Sequence, residues 1–294
     1  MPKLLSLVSR SDEGSARQIA ENAPSITGPV QDRGGSKWSV FEATLDPDGQ
    51  ADLVEYLISA TPAARTDWAI VDADNRRKKL LISDMDSTII GQECLDELAD
   101  FAGLKDEVSA ITERAMRGEL DFEAALTARV SMLKNLPLSA LALCYSARIS
   151  LNPGARRLTS TMRANGARCV LVSGGFTFFT SRVAKAAGFE ADRANTLLDD
   201  GETLTGRVAE PILGRAAKLA ALEEETAAIG ATPMDAIAMG DGANDLDMLR
   251  AAGLGIAYKA KPIVAAETRA RIEHTDLTAA LFFQGYSEDE IVTG

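Results

Sequence analysis

The sequence predicts an α/β protein: a parallel sheet covered by helices on both faces, interrupted by a helical insertion and preceded by a small α+β unit. Three observations carry this. Short apolar runs at 80–83, 169–172, 236–239 and 254–257 alternate with helical stretches, the pattern of strands buried on both faces. Between Gly91 and Ser150 several helical patterns succeed one another with no clear strand. Ahead of residue 75, strand-like and helix-like runs alternate as βαββαβ, the ferredoxin-like order.

In the first unit, residues 4–8 read as a strand and 11–23 as a helix with Ser11 or Asp12 as N-cap. Residues 38–45 read as a second long strand, paired with a short one near 28–31. An amphipathic helix at 49–60 and a strand at 68–71 complete the unit. The charged run 72–79 reads as a hinge, dividing the chain into units 1–75 and 76–294. In the second unit helices are expected at about 153–165, 175–187, 214–229 and 244–252, and a hairpin turn at Asp199-Asp200-Gly201. The helical insertion, at about 92–150, would form a cap. Three of the apolar strands end in small and polar residues, and the carboxyl edge of such a sheet is where ligands bind.

Composition narrows the function. A chain of 294 residues is long for one core, and 46% hydrophobic with 25% charged residues suits a soluble globular protein. The net charge of −12 argues against nucleic acid or a membrane surface as partner, since both are polyanions. An anionic metabolite could still bind where local cations or backbone N–H groups reverse the field. Cys94, Cys144 and Cys169 are odd in number and widely spaced, which reads as reduced thiols in a cytoplasmic protein. No signal-peptide pattern or membrane-length apolar run is expected. His274 is the single histidine, so acid–base work falls to carboxylates.

Four short motifs carry the chemistry. Asp84-Met85-Asp86-Ser87-Thr88 follows a buried strand, and acids at i and i+2 there project to the same side. Ser173-Gly174-Gly175 stands between a strand and a helix, where backbone N–H groups can hold a phosphate oxygen. Gly240-Asp241-Gly242-Ala243-Asn244-Asp245 follows the third strand, and Lys218 lies on the helix before it. Singly, each has a plain alternative: a capped turn, an Asp-Gly turn or a solvated lysine.

In this order and context the four resemble the haloacid dehalogenase-like hydrolases, and most closely their phosphoserine phosphatase branch, over roughly residues 80–281. The resemblance implies a Rossmann-like core that hydrolyses O-phospho-L-serine to L-serine and phosphate through a phosphorylated aspartate, the last step of serine synthesis. It makes Asp84 the nucleophile and Asp86 the general acid and base. It assigns Mg2+ to Asp84, the backbone carbonyl of Asp86, and Asp241, and surrounds the phosphate with Ser173, Gly174, Lys218 and Asn244. In the insertion, Glu93, Met116, Phe122 and Arg129 stand where that branch carries an acid, a Met, a Phe and an Arg. Glu93 would then pair with the substrate ammonium and Arg129 with its carboxylate, while Met116 and Phe122 wall out water. Composition alone reads these four as solvated helix residues and core packing. The N-terminal unit is similar to ACT-type regulatory modules, which implies a surface for homodimerisation.

Elementary chemistry agrees with those roles. An aspartate is already ionised at neutral pH, so as a nucleophile it needs no base. Its difficulty is repulsion, ~4 kcal/mol for each pair of like charges about 4 Å apart at an effective dielectric of about 20. A magnesium ion and Lys218 would remove that repulsion. The departing seryl oxygen must be protonated, which Asp86 can do only if its surroundings raise its pKa. Two rival functions share the motifs: a phosphotransferase passing the phosphoryl group to an alcohol such as homoserine, and a non-catalytic amino-acid sensor on a decayed phosphatase fold. The intact Asp84, Asp86, Lys218 and Asp241 argue against the sensor.

Overall fold

A computed structural model describes residues 2–10, 13–46, 50–116 and 119–293. The first unit comprises β1 (Lys3–Arg10), α1 (Glu13–Asn22), β2 (Gln31–Asp32), β3 (Trp38–Leu45), α2 (Gln50–Ala60) and β4 (Asp67–Asp72). β1 lies between β3 and β4, antiparallel to both, the split arrangement that the βαββαβ order calls for. Side chains alternate along β1, so Leu5 and Leu7 join Leu53 and Leu57 in one apolar cluster while Val8 joins Trp38, Val40 and Phe282 in another. The expected N-cap at Ser11 or Asp12 and the expected helix start at Gly49 lie outside the described residues.

The second unit opens with β5 (Leu80–Ser83) and the helical insertion α3 (Cys94–Phe101), α4 (Lys105–Met116), α5 (Phe122–Met132) and α6 (Leu138–Arg148). There follow α7 (Ala155–Ala164), β6 (Arg168–Phe176), α8 (Thr177–Ala187), β7 (Ala191–Asn195) and the hairpin β8 (Leu197–Asp199) with β9 (Leu204–Val208). The chain then runs through α9 (Arg215–Ala228), β10 (Ala236–Gly240), α10 (Leu246–Ala251), β11 (Leu254–Tyr258), α11 (Pro262–Glu267), β12 (Ala270–Ile272) and α12 (Ala279–Phe283). The strands of this unit are parallel in the order β12-β11-β10-β5-β6-β7. From β5 the chain winds outward to β7, then returns to β10 and winds the other way. The carboxyl ends of β5 and β10 therefore flank a switch point, where a crevice opens.

Three features depart from expectation. β6 runs to Phe176, through Ser173-Gly174-Gly175, and α8 starts only at Thr177. The glycines thus form a bulge at a strand end, with the Gly175 N–H held by Ser173 Oγ at 2.9 Å, and do not begin a helix. β7 and β12 were not expected, because neither has an apolar run: β7 reads Ala-Asp-Arg-Ala-Asn and is mostly half-buried at the sheet edge. β12 pairs antiparallel with β4, Ala270↔Ala69 and Arg271↔Trp68, so the two units share one ten-stranded sheet among the described residues. The charged run 72–79 is correspondingly pinned: Arg76 pairs with Glu42 at 2.5 Å and donates to the carbonyls of Phe282 and Phe283. No described helix is long and apolar enough to cross a membrane, and the three cysteines are buried and unpaired.

Candidate active site

The switch point gathers most of the residues singled out from the sequence. β5 is buried along its whole length, and Asp84 follows it directly, its N–H continuing the ladder to Met239 O at 2.9 Å. The Asp84 carboxylate accepts from the Met85 N–H at 2.8 Å and from Lys218 Nζ at 2.8 Å. Lys218, on the buried face of α9, reaches a second carboxylate, Asp245 Oδ1, at 2.6 Å. Asp241 directly follows β10 beside them, with Thr88 Oγ1 at 3.5 Å. Asp86 turns toward the insertion, where its carboxylate accepts from the Cys94 N–H at 3.1 Å. Its other oxygen lies 2.9 Å from where a Cβ on Gly175 would sit, so any side chain there would displace the Asp86 carboxylate.

These groups open into a cavity of about 130 Å³, lined by Asp84, Asp86, Asp241, Asn244, Ser173 and Gly174 from the sheet edge. Glu93, Phe122 and Arg129 line it from the insertion. Glu93 accepts from Ser87 Oγ at 2.8 Å, and Arg129 donates to Ala125 O at 3.3 Å. The Phe122 ring lies 3.1 Å from where a Cβ on Gly174 would stand, so the insertion closes directly onto the bulge. Met116 closes α4, and its side chain lies outside the described residues.

The electrostatics are those of carboxylates in excess. Burial, then the neighbouring Asp245, pushes Asp84 well above the ordinary carboxylate range against the pull of Lys218. Burial and Glu93 raise Asp86 to about 7. Burial, Asp245 and Glu93 raise Asp241 to about 6. For Lys218 burial acts downward, but Asp84 and Asp245 outweigh it and hold the ammonium charged. Asp84, Asp241 and Asp245 each bring an oxygen within 4.8 Å of the others, with one buried ammonium among three acids. A second positive charge would relieve this excess, and an all-oxygen donor set fits a hard divalent cation.

Three residues of the site went unassigned in the sequence. Asp245 stood inside a quoted motif, and its spacing from Asp241 was the available signal; here it holds Lys218 and accepts from the Gly242 N–H at 3.0 Å. Lys261, beyond β11, lines the cavity and its N–H donates to Asp241 O at 3.0 Å. Asn195 binds the backbone of Gly174 and Leu213.

Comparison with known proteins places this geometry. Residues 81–250 match the family model of haloacid dehalogenase-like hydrolases. The chain is 45% identical over 208 residues to a phosphoserine phosphatase of Polaromonas sp. (strain JS666), covering 69% of this chain and 88% of that one. A crystal structure of a HAD family hydrolase from Salmonella enterica serovar Typhi superposes with TM-score 0.87 at 29% identity, over 99% of this chain and 100% of that one. A structure described as a phospho-aspartyl intermediate analogue of phosphoserine phosphatase superposes with TM-score 0.64 at 38% identity, over 70% of this chain and 99% of that one. With the Asp84-Met85-Asp86 motif, the bulge, the lysine and the second acid motif converging on one sheet edge, the chain belongs to the haloacid dehalogenase-like hydrolase family.

Proposed function

We infer that the chain is a phosphoserine phosphatase, hydrolysing O-phospho-L-serine to L-serine and phosphate. The observation that carries this reading is a single cavity lined by Asp84, with Lys218 against it, and by Glu93 and Arg129. One part of that cavity suits a phosphate and the other an ammonium and a carboxylate. Water is taken as the acceptor, because the relatives above are described as phosphatases or a hydrolase.

In the first step an Asp84 oxygen attacks phosphorus as the bond to the serine oxygen breaks, and Asp86 gives that oxygen its proton. In the second, Asp86 takes a proton from water, whose oxygen attacks phosphorus and releases phosphate and Asp84. A carboxyl near about 7 populates both forms at neutral pH, which suits a group that must donate and then accept. Lys218 balances the nucleophile and the incoming phosphate, while Ser173, Gly174 and Asn244 hold the phosphoryl oxygens. Mg2+, held by Asp84, the Asp86 carbonyl and Asp241, would supply the positive charge that lets a dianion approach a carboxylate. Glu93 and Arg129 read the serine ends, with Phe122 and Met116 excluding water. Unit 1–75 is read as an ACT-type module and unit 76–294 as the phosphatase with its cap at 92–150. Two copies would pair through the former. A cytoplasmic setting is supported by three buried, unpaired thiols.

Phosphate release from phosphoserine, phosphoethanolamine and phospholactate, with and without Mg2+, tests the reading. Phosphoserine should exceed phosphoethanolamine in kcat/KM by up to ~10⁴, because the analogue leaves Arg129 without its partner. Arg129→Ala should compress that ratio by damaging phosphoserine turnover. Equal rates on all three substrates, or full activity in EDTA, would sink it.

A further inference from the structure

Asn195 ends the edge strand β7, and its side chain is buried at 2% exposure. β6 pairs with β7 from Val170↔Ala191 to Val172↔Arg193, then loses register and resumes at Phe176↔Asn195. Residues 173–175 leave the ladder there as a bulge, with only Ala194 opposite them. Backbone groups that leave a ladder need other partners. The Gly175 N–H takes Ser173 Oγ, and the Gly174 carbonyl takes Asn195 Nδ2 at 2.8 Å. The same amide reaches a second segment: Asn195 Oδ1 accepts from the Leu213 N–H at 2.6 Å, and Nδ2 donates to Leu213 O at 3.2 Å. Leu213 immediately precedes Gly214, the N-cap of α9, and Lys218 lies one turn into that helix.

One buried side chain thus ties the bulge to the segment that presents Lys218. The contacts demand a donor facing two carbonyls and an acceptor facing one N–H, on a single short planar group. An amide offers both, whereas an ionised carboxylate would turn an acceptor toward Gly174 O and Leu213 O. We propose that Asn195 is a positioning residue for phosphate binding, setting the 173–175 bulge relative to Lys218 without touching substrate. The proposal rests on reading Ser173, Gly174 and Lys218 as the phosphate pocket.

Inorganic phosphate, titrated calorimetrically into the protein with Mg2+ present, probes that pocket without turnover; KM for phosphoserine probes it in use. Asn195→Asp keeps the size of the side chain and the bond from Leu213 but reverses the group facing Gly174. Its phosphate affinity should fall by roughly 10-fold, KM should rise by a similar factor, and the phosphoserine-to-phosphoethanolamine ratio should stay unchanged. Asn195→Ala should move both constants the same way. Val183→Ala, a buried α8 position, should lower Tm and leave both constants as they were. Phosphate affinity and KM within about twofold of the parent in the Asn195 variants would overturn the proposal. So would failure of both variants to fold, since Asn195 would then serve the sheet. A parent that binds phosphate but leaves phosphoserine intact, beside an Asn195→Asp protein that binds phosphate weakly, would overturn the substrate reading and uphold this one.

Discussion

Helix α9 buries two charged side chains, Lys218 and Glu225, seven residues apart and so about two turns along one face. At the Glu225 end one anion lies between two cations, Arg168 Nε at 2.7 Å and an Arg193 guanidinium nitrogen at 2.5 Å. Burial acts to raise Glu225, but the arginines win and hold it below its ordinary value. At the Lys218 end the signs reverse, with one cation between Asp84 and Asp245. The ends differ in access to water. Arg193 also pairs with Glu224, so the charges at this end balance, and the side chains of Arg168 and Arg193 are 35% and 34% exposed, while those of Asp84 and Asp245 are 8% and 0% exposed. The surplus at the Lys218 end stays inside, and burial first, then the neighbouring Asp245, drives Asp84 and Asp241 upward. Unbalanced buried charge is the mark of an end where a charged ligand fits, and a balanced, partly screened cluster is the mark of an end that holds the fold.

Removing one charge from the Lys218 end gives the largest expected effect on activity. Asp84→Asn should abolish turnover, because an amide does not attack phosphorus. It should cost little stability, since Lys218 keeps Asp245 and the excess of carboxylates shrinks. Beryllofluoride, a phosphoryl mimic, should modify the parent at Asp84 and leave the variant untouched, with urea unfolding read alongside. A variant that is labelled, or that unfolds far more easily than the parent, would break the contrast between the two ends.

Asp86 sharpens it. Asp86→Asn keeps the shape and the backbone carbonyl but loses the transferable proton, so turnover of phosphoserine should drop by ~10²–10⁴. Aryl phosphates leave with less need of a proton and should lose less. Equal losses on both substrates would make Asp86 a geometric element and not a proton carrier.

The sequence disclosed the Lys218 end far better than the Glu225 end, and the reason is physical. β5 and β10 are buried on both faces, so Leu80–Ser83 and most of Ala236–Gly240 stand out as apolar runs, and the acids behind them inherit that clarity. β7 sits at the edge in mixed burial, and neither its strand character nor the role of Asn195 has a periodic signature. The hydroxyl of Ser173 holds the bulge and delays α8 to Thr177, which glycine-rich composition disguises as a helix start. Asp245 was visible as a letter in a motif, but its bond to Lys218 spans 27 residues and exists only once α9 and β10 meet. The pinning of the hinge by Glu42 and the carbonyls of α12 is equally long-range, and a charged run shows none of it.

The smallest expected effect tests the Glu225 end. Glu225→Gln removes the charge and keeps the shape, weakening charge-assisted bonds to Arg168 and Arg193, which solvent already screens in part. The loss should be about 1–2 kcal/mol at neutral pH, with kcat/KM changed less than about twofold. Its pH dependence has a definite sign. The folded Glu225 carboxyl sits below its unfolded value of about 4.3, so between the two values the unfolded state binds more protons. The stability gained from the pair is complete above the unfolded value and disappears as pH falls through the lowered folded one. Glutamine does not titrate, so the gap between parent and variant should stay level from pH ~7 to ~5 and close below ~4. Urea midpoints across that range measure it. A gap that widens in acid would mean that Glu225 is not held below its ordinary value. A folded variant with turnover lost would mean that charge at this end of α9 reaches Lys218, and the division of the helix into a holding end and a reacting end would fail.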